Sequence, residues 1–236
     1  MGSEHRGLAG TALTRTPSAG ETASARIREE IRSGRLLPGT KLAEVETAAR
    51  LGISRNTLRE AFRLLDTQKL ITHIPNRGVF VRDQTLADVL DIYRARLAIE
   101  PAIVRTFPAN GKSLRALDEH VQRAQAAGRG GDWIEVGTQN AGFHSAIVHI
   151  AGSPTLDAFH SDLMVRLRLI FDVLSDPEYL HRPYLDQNAE IAALLRAGNA
   201  DAAAASLTGY LESSQALALS AYAERSREGR EDSSDS

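Results

Sequence analysis

The chain contains no cysteine, two methionines and one tryptophan, and aromatic residues make up only 5% of its 236 positions. Without cysteine it can form no disulfide, no cysteine-based zinc site and no cysteine nucleophile, which fits a cytoplasmic location. No apolar run approaches the roughly 18 to 20 residues of a membrane span, so we expect no membrane partner. No Gly-rich phosphate loop and no nucleophile paired with a base is recognisable. The sequence therefore predicts a protein that is not an enzyme and holds no cofactor.

The charge is unevenly distributed along the chain. The net charge is −2, but residues 1–82 carry 14 Lys and Arg against 8 Asp and Glu, which leaves 14 against 22 for residues 83–236. A basic first part and an acidic remainder indicate that the first part meets a polyanion and the second does not. The alternative is an uneven but merely solvated surface charge. With 42% hydrophobic residues, the chain can bury a sizeable core.

Three short helices are predicted in the basic part. The first ends near Gly34, and Gly52 separates the second from the third, for which Ser54 is a natural N-cap. An apolar stripe runs along the third helix at helical spacing and leaves Arg55 and Arg59 largely on other faces. Two helices joined by a glycine-containing turn form a helix-turn-helix, whose second helix can enter the major groove of DNA. The stripe consists of Leu58, Ala61, Phe62 and Leu65.

The next segment, LITHIPNRGVFVR, contains two β-prone runs around residues 75–78. This pattern predicts a small β-hairpin with a basic tip, which is a wing. Residues 35–82 closely resemble the DNA-binding domain of GntR-superfamily transcription regulators, whose typical run is PGTKL, LGxSRxxxREAL and PNRGxxV. The corresponding stretches here are PGTKL, LGISRNTLREAF and PNRGVFV. The resemblance implies a winged helix-turn-helix that binds double-stranded DNA.

The resemblance also implies which residues meet DNA. Arg55 and Arg59 would contact it from the recognition helix, because arginine can bridge guanine O6 and N7 or clamp a phosphate. The variable positions, where such proteins differ in sequence preference, hold Asn56 and Thr57. The alternative for the two arginines is a solvated surface with weak ion pairs to neighbouring acidic residues. The predicted DNA-binding residues are Arg55, Asn56, Thr57, Arg59 and, at the wing tip near the minor groove, Asn76, Arg77 and Gly78.

The remainder of the chain reads as helical throughout. Thr85 and Asp88 form a capping-box pattern before a long amphipathic helix that contains Pro101. Further helices are predicted at about 112–127, 132–151, 155–175, 184–197 and 200–224. An acidic helical domain behind a winged helix resembles the FadR-type branch of the superfamily, whose C-terminal FCD domain binds a small effector.

These patterns predict a mainly α fold with an N-terminal winged helix-turn-helix, a β-hairpin wing and a C-terminal all-α antiparallel bundle. The predicted domains are a disordered lead-in at 1–19, the DNA-binding domain at 20–83, an effector-binding and dimerisation domain at 84–226, and a disordered tail at 227–236. One winged helix reads few base pairs, so we expect a homodimer on a palindromic operator. Repression relieved by a ligand is the commoner arrangement in the family, and activation is the alternative.

In many members of the FadR-type branch an Asp and three His hold a divalent metal. Aligned by the family's runs, these four positions fall on Asn140, His144, Asn188 and Tyr210. Amide oxygens and a protonated phenol bind Zn²⁺, Mn²⁺ or Ni²⁺ poorly, so the sequence predicts no tightly bound metal. The alternative is a metal held by His144 together with ligands outside the family's set, such as His149 or His160, which are otherwise assigned to the surface or to packing.

A polar pocket is predicted at the same place. Buried Asn, His, Asn and Tyr side chains need hydrogen-bond partners, which a ligand or water can supply. Arg96 lies on an inward face of its helix and would offer a counter-charge to a carboxylate, unless it pairs with Glu100 one turn away. The predicted effector is a small organic or sugar acid, bound by Arg96, Asn140, His144, Asn188 and Tyr210. A vestigial domain whose polar residues pack together without a cavity is the alternative.

Overall fold

The computed structural model describes residues 16–172, 174 and 176–234. It is mainly helical, with one two-stranded antiparallel sheet, which confirms the predicted fold class. The DNA-binding part consists of α1 (Ala19–Arg32), α2 (Glu44–Leu51), α3 (Arg55–Thr67), β1 (Ile71–Ile74) and β2 (Gly78–Val81). Residues 1–15 of the predicted lead-in lie outside the described residues.

Local sequence accounts for the helix-turn-helix. Gly52 takes the left-handed conformation at the end of α2, with φ of 69°, which glycine adopts at little cost. Ser54 then caps α3 by accepting a hydrogen bond from the Thr57 amide. The apolar side of α3, with Leu58 and Leu65 fully buried, packs against α1 and the sheet. The polar side of α3 consequently faces outward.

A helical bundle follows the wing. Its helices are α4 (Leu86–Thr106), α5 (Gly111–Arg129), α6 (Trp133–His149), α7 (Pro154–Phe171), α8 (Pro177–His181), α9 (Tyr184–Arg196) and α10 (Ala200–Ser234). The predicted Thr85–Asp88 capping box begins α4, which continues through Pro101. The long helices α4 and α10 pack together, and α6 contacts both α5 and α7. No helix among the described residues is long and apolar enough to cross a bilayer.

Three features differ from the helices predicted from the sequence. The segment read as a break before residue 184 contains the one-turn helix α8, which Asp176 caps and Pro177 begins. Five residues are too few to show a helical period, which explains why the pattern missed α8. Helix α7 ends at Phe171, short of the predicted end at 175. Helix α10 runs past 224 to Ser234, into the segment assigned to the tail, and the domain limits stay predictions.

The two parts of the chain share a core at α1 and α7. Ile27 and Ile31 on α1 belong to the same buried cluster as Val165 and Leu169 on α7. Arg28 of α1 also forms an ion pair with an acidic residue of α7. The DNA-binding part is therefore packed directly on a helix of the bundle.

Candidate functional site

The recognition helix α3 presents its two leading arginines to solvent. The side chains of Arg55 and Arg59 are 60% and 52% exposed. Both point toward Glu44 on α2, with closest N–O distances of 3.4 Å for Arg55 and 3.1 Å for Arg59. Hydrogen bonds from Arg59 hold the pKa of Glu44 below its usual value, so the carboxylate stays charged. These exposed pairs are weak, and both guanidinium groups can turn toward a DNA phosphate or base.

The side chains at the two variable positions of α3 differ in whether they make hydrogen bonds within the helix cap. Asn56 is exposed at the start of the helix. Thr57 donates its amide to Ser54 Oγ at 3.1 Å, and the two hydroxyl oxygens lie 2.8 Å apart. Thr57 therefore takes part in the helix cap as well as standing near the exposed surface.

The wing tip is a tight turn that brings basic side chains together. Ile74 pairs with Gly78 across the hairpin, and Asn76 and Gly78 both take positive φ values, of 63° and 109°. The Arg77 guanidinium lies 5.7 Å from the centroid of the Phe80 ring, and Lys41 Nζ lies 5.9 Å from the same centroid. Lys41 was not among the residues predicted from the sequence. Its signal was present, because it belongs to the PGTKL run, and it adds a second cation to the wing.

In the bundle, the predicted Arg96 is fully buried and paired. Its Nε donates to Glu100 Oε1 at 2.7 Å, and its guanidinium lies 5.3 Å from the centroid of the Tyr93 ring. Burial alone would raise the pKa of Glu100, but Arg96 and the neighbouring imidazoles outweigh it and hold that pKa well below its usual range. Among the described residues, Arg96 Nη2 is buried without a hydrogen-bond partner. Arg96 therefore pairs with Glu100, as the alternative interpretation predicted, and its Nη2 still has no hydrogen-bond partner among the described residues.

Two histidines complete the environment of Glu100. His144 Nδ1 lies 2.7 Å from Glu100 Oε2, and His160 Nε2 lies 3.1 Å from Glu100 Oε1. His160, which the sequence placed at the surface or in packing, is thus buried beside the site. Burial lowers the pKa of His144 to about 4, so the ring is neutral near pH 7. Since a carboxylate only accepts, His144 Nδ1 carries the proton, and its Nε2, which has no partner in the described part of the chain, is an acceptor.

The other three predicted residues form a hydrogen-bonded group around Asn140. Asn188 Nδ2 donates to Asn140 Oδ1 at 2.6 Å, and the Tyr210 hydroxyl donates to the same oxygen at 2.9 Å. The Tyr210 ring also lies against His144, with 4.7 Å between the ring centroids. All five predicted effector residues are thereby brought to one place, although they come from four different helices.

A cavity of about 230 Å³ opens beside this group. Arg96, Asn140 and His144 line it, together with Ser214, whose hydroxyl is 2.7 Å from that of Tyr93. Its remaining walls are largely apolar, and they include the only tryptophan of the chain. The apolar wall residues are Leu37, Trp133, Met164, Leu167, Phe171 and Leu180. The cavity therefore has one polar end and an apolar body.

The donor set at this place does not fit the family's divalent metal. Asn140 Oδ1 already accepts two hydrogen bonds, from Asn188 and Tyr210. Burial raises the pKa of Tyr210, so the phenol stays protonated and is a poor ligand. Within residues 16–234 as described, no group of three or more His, Cys, Asp and Glu side chains is arranged to hold a metal. The absence of a bound metal stays a prediction that rests on this ligand chemistry.

Three residues of the site were missed or undervalued in the sequence. Glu100 had been considered only as a competitor for Arg96, yet it joins Arg96 to both histidines. Its i, i+4 spacing from Arg96 was visible, but its complete burial was not. Neither Trp133 nor Ser214 was among the site residues predicted from the sequence. Tertiary packing alone brings these two to the cavity.

Comparisons with known proteins agree with this architecture. Residues 19–81 match the model of the gntR family of bacterial regulatory proteins, and residues 91–213 match the model of the FCD domain. A solved structure of a GntR regulator from Rhodococcus sp. RHA1 is 38% identical and has a TM-score of 0.81, covering 87% of this chain and 100% of that one. McbR/YncC of E. coli shares the fold, with a TM-score of 0.76, 23% identity, and coverage of 88% and 100%.

A curated relative points the same way. The HTH-type transcriptional repressor RspR of Escherichia coli strain K12 is 27% identical over 192 residues, which are 79% of this chain and 82% of that protein. The gntR family model, this relative and the Rhodococcus structure are all described as regulators rather than enzymes. This chain belongs to the GntR family of bacterial transcription regulators, and its C-terminal domain is an FCD domain.

Proposed function

We propose that this regulator is a sequence-specific repressor whose affinity for its operator is controlled by a small organic acid bound in the bundle. The observation that carries the proposal is the cavity between α6 and α7, whose polar end is lined by Arg96 and His144. Arg96 Nη2 and His144 Nε2 are buried without a hydrogen-bond partner among the described residues, and ligand binding would turn this donor and this acceptor toward the cavity. Such an end fits a carboxylate oxygen at Arg96 and a hydroxyl at His144. Metal takes no part in this binding.

The cavity favours a sensor over a vestigial domain. Asn140, Asn188 and Tyr210 do bond to one another, as a vestigial domain would require. Buried polar atoms of Arg96 and His144 nevertheless lack partners among the described residues. Leaving such atoms unpaired costs roughly 1 to 3 kcal/mol each, which a ligand or water that enters the cavity offsets. The largely apolar walls favour an organic acid over a sugar acid, because most wall side chains offer the hydroxyls of a polyol no hydrogen-bond partner.

On the DNA side, base and phosphate contacts come from the recognition helix and the wing. Arg55 and Arg59 reach the groove after leaving Glu44, Asn56 and Thr57 read nearby edges, and Arg77 lies near the minor groove with the turn residues Asn76 and Gly78. Two copies of the chain bind one palindromic operator as a homodimer. We assign repression rather than activation because the relative RspR is a repressor.

One experiment tests both halves of the proposal. An operator is selected from a random DNA library by the wild-type protein, and its affinity is measured by fluorescence anisotropy with and without each acid of a panel. Thermal shift identifies which acids bind. We expect at least one organic acid to stabilise the protein and to weaken operator binding by about 5- to 150-fold, the usual range of allosteric coupling. If no acid binds, or if the acids that bind leave DNA affinity unchanged, the proposal is wrong.

A further inference from the structure

The cavity is not confined to the FCD domain. Ser33, Gly34 and Leu37, which follow α1 in the DNA-binding domain, form part of its wall. Gly34 is close enough to α7 that a Cβ added to it would lie 3.1 Å from Arg168 Nη2. The outer end of the cavity is therefore built jointly by both domains of a single chain.

Two exposed apolar side chains border this outer end from opposite domains. Leu37 of the DNA-binding domain is 49% exposed, and Ile134 at the start of α6 is 60% exposed. A single exposed leucine or isoleucine is ordinary on a protein surface. Here both lie on the rim of one cavity whose deeper walls are also apolar, and a ligand with an apolar body would cover them.

The two charged side chains at the outer end, Arg168 and Asp172, pair with each other. Arg168 Nε lies 2.6 Å from Asp172 Oδ1, so this pair is already neutralised. Burial lowers the pKa of His181 to about 4, and its ring packs edge-on against Phe171 with centroids 5.3 Å apart. Asp172 Oδ2 at the outer end is also buried without a hydrogen-bond partner in the described part of the chain, as Arg96 Nη2 and His144 Nε2 are at the inner end. The preference for an apolar ligand body therefore rests on the apolar side chains that make up most of the wall.

The volume limits the size of the ligand. A dry protein cavity of about 150 Å³ holds benzene, so 230 Å³ provides room for about nine non-hydrogen atoms. We infer that the cavity binds a small carboxylic acid with a compact apolar body, whose carboxylate meets Arg96 and whose body packs against Leu37 of the DNA-binding domain. This inference rests on the proposed function and specifies both the ligand class and the domain contact.

A ligand that contacts Leu37 can affect the position of the DNA-binding domain directly, because Leu37 belongs to that domain. The residues after α1 are a cavity wall, and α7 contacts the cavity with Leu167 and the DNA-binding core with Val165 and Leu169. An acid that binds more tightly in one orientation of the domain than in another shifts the equilibrium between them. The contacts that would carry this coupling lie within one chain.

A matched pair of acids tests the ligand class. 2-Hydroxy-4-methylpentanoate and threonate are both 2-hydroxy acids with the same number of non-hydrogen atoms, but the first has a branched alkyl body and the second a polyol body. Each is titrated into the full-length protein by calorimetry, and Trp133, the only tryptophan of the chain and a wall residue, reports entry by its fluorescence. We expect the alkyl acid to bind at least about tenfold more tightly than threonate, because only its body gains from leaving water.

A matched pair of variants tests the domain contact. Leu37→Ala removes the wall side chain, whereas Leu86→Ala changes a leucine that is 40% exposed and does not line the cavity. Both positions are partly exposed, so both variants should fold. We expect Leu37→Ala to weaken binding of the alkyl acid by about three- to tenfold and Leu86→Ala to leave it unchanged. Hydrogen exchange at residues 33–37 should slow when the alkyl acid binds to the wild type.

The outcomes separate this inference from the proposed function. Tighter binding of threonate would overturn the apolar class while leaving an acid sensor in place. Equal effects of the two leucine variants, with no slowing of exchange at residues 33–37, would overturn the contact with the DNA-binding domain. If neither of these acids nor any acid of the panel binds, the proposed function itself fails, and this inference fails with it.

Discussion

At the scale of single residues, Glu100 organises the polar end of the cavity. Its two carboxylate oxygens are shared among Arg96, His144 and His160, and the residue has no exposed surface. Removing one partner from such a buried group leaves the opposite charge without compensation. The ion pair therefore matters more for keeping Arg96 and the imidazoles in place than as a net source of stability.

The chain offers a test of this role with an internal control. Glu100→Gln leaves the buried Arg96 charge unpaired, and we expect it to lower the free energy of unfolding by roughly 3 to 5 kcal/mol. Glu119→Gln changes an ion pair with the same i, i+4 spacing to Arg123, but both of its side chains are more than 60% exposed. That variant should lose less than about 1 kcal/mol. Denaturant unfolding of both variants gives the comparison, and similar losses would contradict the assignment.

The replaced metal ligands give a second prediction at this scale. Wild-type protein, dialysed without chelator, should contain no stoichiometric Zn²⁺, Mn²⁺ or Ni²⁺ by mass spectrometry, because amide oxygens and a phenol stand where carboxylate and imidazole are needed. The triple variant Asn140→Asp/Asn188→His/Tyr210→His restores an Asp and two His beside His144, and we expect it to take up one metal ion per chain. Stoichiometric metal in the wild type would show that His144 recruits ligands outside the family's set.

At the scale of elements, the recognition helix is held in a resting arrangement by α2. Glu44 interacts with both Arg55 and Arg59, and under the proposed function each arginine exchanges this carboxylate for DNA. Because all three side chains are at least partly exposed, breaking these ion pairs costs little free energy. The helix is thus ready to bind without a change in its backbone.

Substitution of Arg59 tests the assignment of α3. We expect Arg59→Ala to weaken binding to the selected operator by about 1 to 3 kcal/mol if the guanidinium bridges a guanine, with relaxed specificity at one position. If it clamps a phosphate instead, affinity should fall on all sequences and the slope of log affinity against log salt should decrease by about one. Anisotropy titrations over a salt series distinguish the two. Arg123→Ala, on the exposed side of α5, is the control, and an unchanged Arg59→Ala titration would remove Arg59 from the interface.

Some helices and helix caps could be predicted from the sequence, whereas the shape and lining of the cavity could not. Helix caps are local, so Ser54 and the Thr85–Asp88 box were readable and were confirmed. Apolar stripes identified the long helices, whereas the five-residue α8 has no period to detect. The proximity of the predicted effector residues could be anticipated, because four of them were carried over from the family's metal positions and Arg96 was taken from the inward face of its helix. The cavity's apolar character was not predictable, since it depends on Leu37, Trp133 and Leu180, which lie far apart in the chain.

At the scale of the whole molecule, the two domains share both a core and a cavity. Helix α7 contributes Val165 and Leu169 to the DNA-binding core and Leu167 to the cavity wall. A ligand that fills the cavity therefore acts on a helix already packed against α1. Under the proposed function, the packed interface between α1 and α7 is the element that ligand binding would rearrange to change the affinity for DNA.

The buried histidine at the domain junction links global stability to pH. Burial and the nearby Arg168 lower the pKa of His181 from 6.5 to about 4, so the folded protein holds this ring neutral. The unfolded chain binds its proton near pH 6.5. Below that pH the unfolded state takes up more protons than the folded state, and stability falls as the pH drops from about 6.5 to about 4. Above pH 6.5 both states are neutral at this residue, and it contributes nothing.

The lowered pKa of His181 sets the size of this effect on the free energy of unfolding. A difference of about 2.5 pKa units corresponds to at most about 3 kcal/mol. We expect His181→Gln to flatten the acid limb of a plot of unfolding free energy against pH between 7 and 4, measured by urea denaturation. His149→Gln, at a histidine whose side chain is 63% exposed, should leave that limb unchanged. Identical curves for wild type and His181→Gln would show that the ring is solvated in the folded protein. The outer end of the cavity would then be open to water, and the hydrophobic contribution to the binding of an apolar ligand there would be smaller.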